Sequence, residues 1–135
     1  MSSTLPVVTL AAVAVLALLG SILAILVIVA RVRLKVEWGD GGNMSMAQTM
    51  RAHANFSEYV PLALLTIGAC ELVGTPRTWV IGLTVALVMA RVLSALGLSR
   101  SLGPSIPRQA GASTTIAVTI VAAVAVLWMI ARQSP

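Results

Sequence analysis

The chain has 135 residues, 59% of them hydrophobic and 10% charged, with a formal net charge of +5 and a mean hydropathy of +1.00. That composition excludes a water-soluble globule and leaves room for one membrane domain. The positive charge gathers at the ends of apolar runs, so it reads as a topology signal and calls for no nucleic acid.

A run of about 20 apolar residues crosses roughly 30 Å of hydrocarbon at about 1.5 Å per residue, and the sequence offers four such runs. The first, 5–30, contains no charge and ends at Arg31, Arg33 and Lys35. It reads as a crossing and not as a cleaved signal peptide, in which basic residues come before a shorter apolar core. Glu37 to Asn43, rich in glycine, is a turn. The second run, 46–73, is polar in its first third and apolar after Pro61. Gly74-Thr75-Pro76 makes the next turn. The third run, 78–98, is apolar apart from Arg91. A segment with Pro104 and Pro107 leads to the fourth run, 112–131, whose hydroxyls Thr114, Thr115 and Thr119 can bond back to their own helix. The expected fold is an all-α integral membrane protein, one four-transmembrane-helix bundle over residues 1–135.

Arg31, Arg33, Lys35, Arg100 and Arg108 fall on one side of this topology, and Arg77 and Arg132 on the other. The richer side is expected to be cytoplasmic, which places both termini on the opposite side and Arg51 near the cytoplasmic surface.

The chemistry concentrates at the start of the second helix. At about 100° per residue, Arg51, Asn55 and Glu58 lie within roughly 60° of one another, with Gln48 and Tyr59 at the flanks. Such a face cannot look at lipid, where a central charge costs about 2.5 kcal/mol or more. It must look into the bundle or a wet cleft, either as a binding site or as an interhelical hydrogen-bond cluster. Pro61 removes a helical hydrogen bond from the Ser57 carbonyl and is expected to bend the helix below this face. Arg91 is expected to pair with Glu58 as a structural contact. His53 falls roughly 160° round the helix from Arg51 and, as the only histidine, makes a poor metal site, so no metal is expected. Cys70 is alone in an apolar stretch, which excludes a disulfide. Glu71 reads as an interfacial anchor, and Trp38, Trp79 and Trp128 as interface-level aromatics.

The segment Arg51-Ala-His53-Ala-Asn55-Phe-Ser-Glu58-Tyr59-Val-Pro61 resembles the signature of the membrane-associated proteins in eicosanoid and glutathione metabolism, the MAPEG family. The basic end of the first helix, the R-x-x-x-N-x-x-E-x-x-P pattern and Ala90-Arg91 occur in the family's order. The short loops and residues 90–97 look most like the small bacterial members. The resemblance implies a homotrimer in the bacterial inner membrane that binds glutathione, or another low-molecular-weight thiol, between subunits near the cytoplasmic side. It implies a transferase or peroxidase acting on hydrophobic electrophiles. Arg51, Asn55 and Glu58 suit the carboxylates, amides and amine of glutathione. By similarity, His53, Tyr59 and Arg31 join the same ligand set, and Arg100 or Arg108 would hold the thiol as thiolate.

Where the eicosanoid-synthesising members carry tyrosines near the end of the third helix, this chain has Ser94 and Leu98. That departure speaks against eicosanoid substrates and leaves room for a non-catalytic binding or scaffold protein of the same fold. A small four-helix exporter matches in size, but the first helix carries no carboxylate and Glu58 sits within a polar entry pattern.

Overall fold

The computed structural model describes residues 5–98 and 106–133. Four helices occupy them: α1 (Val7–Leu34), α2 (Met44–Leu72), α3 (Arg77–Leu98) and α4 (Ile106–Gln133). The 28 residues of α1 span about 42 Å at the standard rise, enough to cross the hydrocarbon with turns to spare. By length and composition α1, the 77–95 part of α3 and the 109–133 part of α4 can each cross a membrane. Arg51, Asn55 and Glu58 interrupt the apolar run of α2, but α2 is as long as its neighbours and packs against all three of them. A central position is where the membrane tolerates polar side chains.

The helix ends follow local chemistry. α1 runs past the expected boundary at 30 because Arg31 and Arg33 fit its last turn, where cations meet the unpaired carbonyls. α2 starts at Met44 because Asn43 caps it: its Oδ1 accepts from the N–H of Ser45 (3.0 Å) and Met46 (3.2 Å). α4 starts six residues earlier than the sequence suggests, at Ile106 instead of 112. Pro107, expected in the turn, sits in its first helical turn, where a missing N–H and a fixed φ are no handicap. α2 runs unbroken through Pro61, whose ring is exposed.

The core is a seam of Leu16, Val60, Ala63, Ile67, Cys70, Val80, Leu87, Val118 and Ala122. Outside it the usual rule for soluble proteins is reversed. Leu18, Ile22, Ile25 and Ile28 on α1 and Ile120, Val124 and Leu127 on α4 are exposed large hydrophobics, as expected of surfaces that meet lipid tails. Among the described residues the backbones of α1 and α4 do not come close, so α2 and α3 form the middle of the bundle.

Polar contacts stitch the end where α1 begins. Pro6 precedes α1 without a side-chain cap, and Glu71 supplies one from across the bundle. Its Oε1 accepts from the Val8 N–H (3.0 Å), and its Oε2 accepts from the Thr9 N–H (2.9 Å) and the Thr9 hydroxyl (2.7 Å). A carboxylate at a helix N-terminus satisfies orphan donors and meets the positive end of the dipole. Gln133 Nε2 donates to Val73 O (3.1 Å), and the Arg132 guanidinium lies 4.6 Å from the centre of the Trp128 ring. Glu71 is therefore a tie between the ends of α1 and α2, a more specific role than an interfacial anchor. Glu71→Ala should lower stability in detergent by about 1–2 kcal/mol and speed amide exchange in the first turn of α1, and Glu71→Gln should do so less.

Candidate functional site

At the opposite end of the bundle, the α1–α2 connection folds around Arg31. The Arg31 carbonyl accepts from the Val36 N–H (3.1 Å), while its Nη1 donates to the carbonyls of Val36 (3.4 Å), Glu37 (3.2 Å) and Gly39 (3.2 Å). Nη2 reaches Met50 Sδ on α2 at 3.7 Å. Gly39, Gly41 and Gly42 all adopt positive φ, a backbone that lets so short a loop curl onto one side chain. Arg31, expected as a ligand cation, thus gives Nη1 to the loop and Nη2 to Met50 of α2.

Beside this loop lies an open cleft of about 640 Å³ lined by Gly39, Asp40, Ala47, Gln48, Met50, Arg51 and Ala54. Its volume falls within the roughly 300–1,000 Å³ usual for small-molecule sites. Arg51 is exposed and Gln48 half-buried, so a guanidinium fork and an amide face the same space. The face read from the helical wheel is divided. Asn55 turns toward α3 and lines a second, small cavity with Leu23, Ala52, Phe56, Arg91, Ser94 and Ala95. Glu58 and Tyr59 are exposed, His53 is half-buried, and none of the three lines either cavity. Neither cavity reaches Pro61. Arg100 lies outside the described residues. Arg108 falls in the first turn of α4, with its side chain outside them.

Arg91 does not pair with Glu58. It is 2% exposed and directed at α4, where Nε donates to Thr115 Oγ1 (2.8 Å) and Nη2 to the Gly111 carbonyl (2.9 Å) and to the same hydroxyl. Thr115 in turn donates to Gly111 O at 3.0 Å, which leaves its lone pairs for the guanidinium. Wheel geometry places Arg91 at a depth Glu58 could match, but the side chain leaves α3 toward α4 while Glu58 faces outward from α2.

The same contact explains Ser94. A side chain at Gly111 would collide with Ser94 Oγ and come within 2.7 Å of the Ala90 carbonyl, so α3 and α4 approach as closely as their backbones allow, the small-residue packing common in membranes. Ser94 is 7% exposed, and its hydroxyl has no protein partner among the described residues. A tyrosine ring could not occupy this position without pushing α4 away. The sequence presents Thr115 only as a self-bonded hydroxyl and does not single out Asp40 or Gly111. The Ala90-x-x-x-Ser94 and Gly111-x-x-x-Thr115 spacings were the available signal for the helix contact, and nothing in the sequence marked Asp40.

With this geometry in place, comparison with known proteins defines the class. The model of the MAPEG family matches residues 9–128, and the chain belongs to that family. It is an integral membrane protein with the family's four-helix architecture. The chain is similar to the inner membrane protein YecN of Escherichia coli K12 and to its counterpart in Escherichia coli O6:H1, at 28% identity over 99 residues, 73% of each chain, in both comparisons.

Gly111→Ala should cost about 1–3 kcal/mol of stability, the usual penalty for forcing a methyl group into a packed contact. Gly82→Ala on the same bundle, where an added Cβ meets nothing within 4 Å, should be neutral or gain a few tenths through helix propensity. Thermal unfolding of the two variants in one detergent checks both.

Proposed function

We propose that this protein is a glutathione-dependent membrane transferase or peroxidase acting on hydrophobic electrophiles. The cleft lined by Arg51 and Gln48 carries the reading. It puts a forked cation and an amide at one end of an apolar bundle, where a water-soluble thiol can enter from the aqueous side and meet a substrate dissolved in lipid. Arg51 holds a carboxylate of the ligand bidentately. Asn55, Glu58, His53 and Tyr59 complete the ligand set from the same stretch of α2, with Arg31 fixing the loop that borders it.

Glu58 supports a site shared between copies. It lies 14 residues into the 29 of α2, about 21 Å along the helix axis, and is exposed on a single chain. A carboxylate at that depth does not face hydrocarbon without cover. A homotrimer, with clefts at the subunit interfaces, supplies the cover. The relatives named as inner membrane proteins and the lysine and arginine distribution favour the bacterial inner membrane, with the cleft toward the cytoplasm and both termini on the far side. In this arrangement Arg100, or Arg108 in the first turn of α4, stabilises the thiolate. A fixed cation that lowers a thiol pKa from about 8.5 by two units makes it mostly ionised at pH 7.

The second reading, a binding or scaffold protein without turnover, draws on Ser94. Its hydroxyl is packed against Gly111, so the third helix offers the cleft no phenol at that position.

Calorimetry on the detergent-purified protein should show saturable glutathione binding that weakens by at least about tenfold in Arg51→Ala, the loss of one charge-assisted pair. No binding in a folded oligomer would remove the glutathione reading. With glutathione bound, the ultraviolet absorbance of a thiolate should appear and be lost in one of Arg100→Ala and Arg108→Ala. Binding without that absorbance selects the scaffold.

A further inference from the structure

The Arg51 cleft also contains a carboxylate, and it is not Glu58. Asp40, from the α1–α2 loop, lines the cleft together with Gln48 and Arg51. Its Oδ1 accepts from the Gly42 N–H at 2.9 Å, which orients the carboxylate, and no ion pair joins it to Arg51. The loop that presents it is held by the carbonyls of Val36, Glu37 and Gly39 on Arg31, and Arg31 also touches Met50, another residue of the cleft wall. Within one cleft α2 therefore offers a guanidinium and the loop a carboxylate.

A carboxylate and an ammonium on one carbon are complementary to that pair. We infer that Asp40 is the specificity-determining residue of the cleft, binding the ammonium of a zwitterionic amino-acid head group whose carboxylate rests on Arg51, with Arg31 acting as the positioning residue that holds Asp40 in place. This rests on the reading of the cleft as a thiol-ligand site and names the end of the ligand that enters it. It replaces Glu58, the carboxylate the helix pattern offers for the amine, with one that shares a cavity with Arg51. The ligand class is a thiol whose γ-glutamyl or equivalent head keeps its free amine. A thiol without a free amine would be a poor ligand.

The test compares glutathione with its desamino analogue, which lacks only the ammonium, on the full-length protein by calorimetry. Wild type should prefer glutathione by at least about tenfold, the usual value of one hydrogen bond to a charged group. Asp40→Asn keeps the Oδ1 acceptor that forms the turn and should bring the ratio close to one, chiefly by weakening glutathione. Asp40→Glu should retain a preference. An unchanged ratio in Asp40→Asn, or equal weakening of both ligands, overturns the assignment and leaves the glutathione reading standing. A ratio that collapses in Glu58→Gln instead returns the amine to α2 and also overturns it. If wild type binds neither thiol, the assignment and the reading beneath it fall together.

Discussion

A guanidinium buried against a hydroxyl and a carbonyl is the constraint around which this bundle is arranged. Taking Arg91 out of water costs several kcal/mol, and among the described residues neutral acceptors meet it: the Thr115 hydroxyl and the Gly111 carbonyl. Those acceptors are within reach because α3 and α4 lie backbone to backbone. Gly111 has no side chain, and the facing positions on α3 are Ala90 and Ser94. Electrostatics and sterics are thus one contact here, since the approach that brings the Gly111 carbonyl to Arg91 is the approach that admits no larger residue. Asn55 borders the same cluster from α2. The register of α2, and with it the direction of Arg51, is therefore fixed against a polar core as well as against the apolar seam.

The two ends of the bundle are closed by a common device used with opposite charge. At one end the Glu71 carboxylate takes up the free N–H groups that open α1. At the other the Arg31 guanidinium takes up carbonyls just past the end of α1. Each suits the sign of the dipole it meets. Apolar side chains supply little drive for association inside lipid, which is as apolar as they are. Directional polar contacts at the helix ends then do much to set which helices are neighbours. The glycines of the loop and the hydrogen bonds of Arg31 to it make the cleft wall a defined surface.

The helices and the polar opening of α2 were legible because both are short-range properties. An uncharged run of apolar residues can only be a span, and a period near 3.6 states which α2 residues share a face. What the wheel cannot state is what lies opposite that face. Arg91 was read toward Glu58 because both are charged and similar in depth, and it points to α4 instead. Glu71 was read as an anchor because its partners Val8 and Thr9 are more than 60 residues away in sequence. The start of α4 was misplaced because Pro107 reads as a turn signal unless it is allowed in the first helical turn. Asp40 sits in a loop whose glycine-rich sequence reads simply as a turn. Its bearing on the site depends on how Arg31 gathers that loop, which no local pattern encodes.

A single copy of this chain leaves an imbalance that bears on how the proposed site works. The cleft is open, Arg51 and Glu58 are exposed, and Tyr59 is 37% exposed, all on the helix that is otherwise the centre of the bundle. For a soluble protein this would be an ordinary wet surface. In a bilayer the residues near the loop can reach the aqueous side, as Arg51 does from the second turn of α2, but Glu58 cannot. The polar stripe of α2 therefore divides by depth. Its loop end, with Arg51 and Asp40, lines one cleft within a single chain. Its deeper end, with Glu58, is exposed on a single chain, and in the proposed homotrimer a neighbouring subunit covers it.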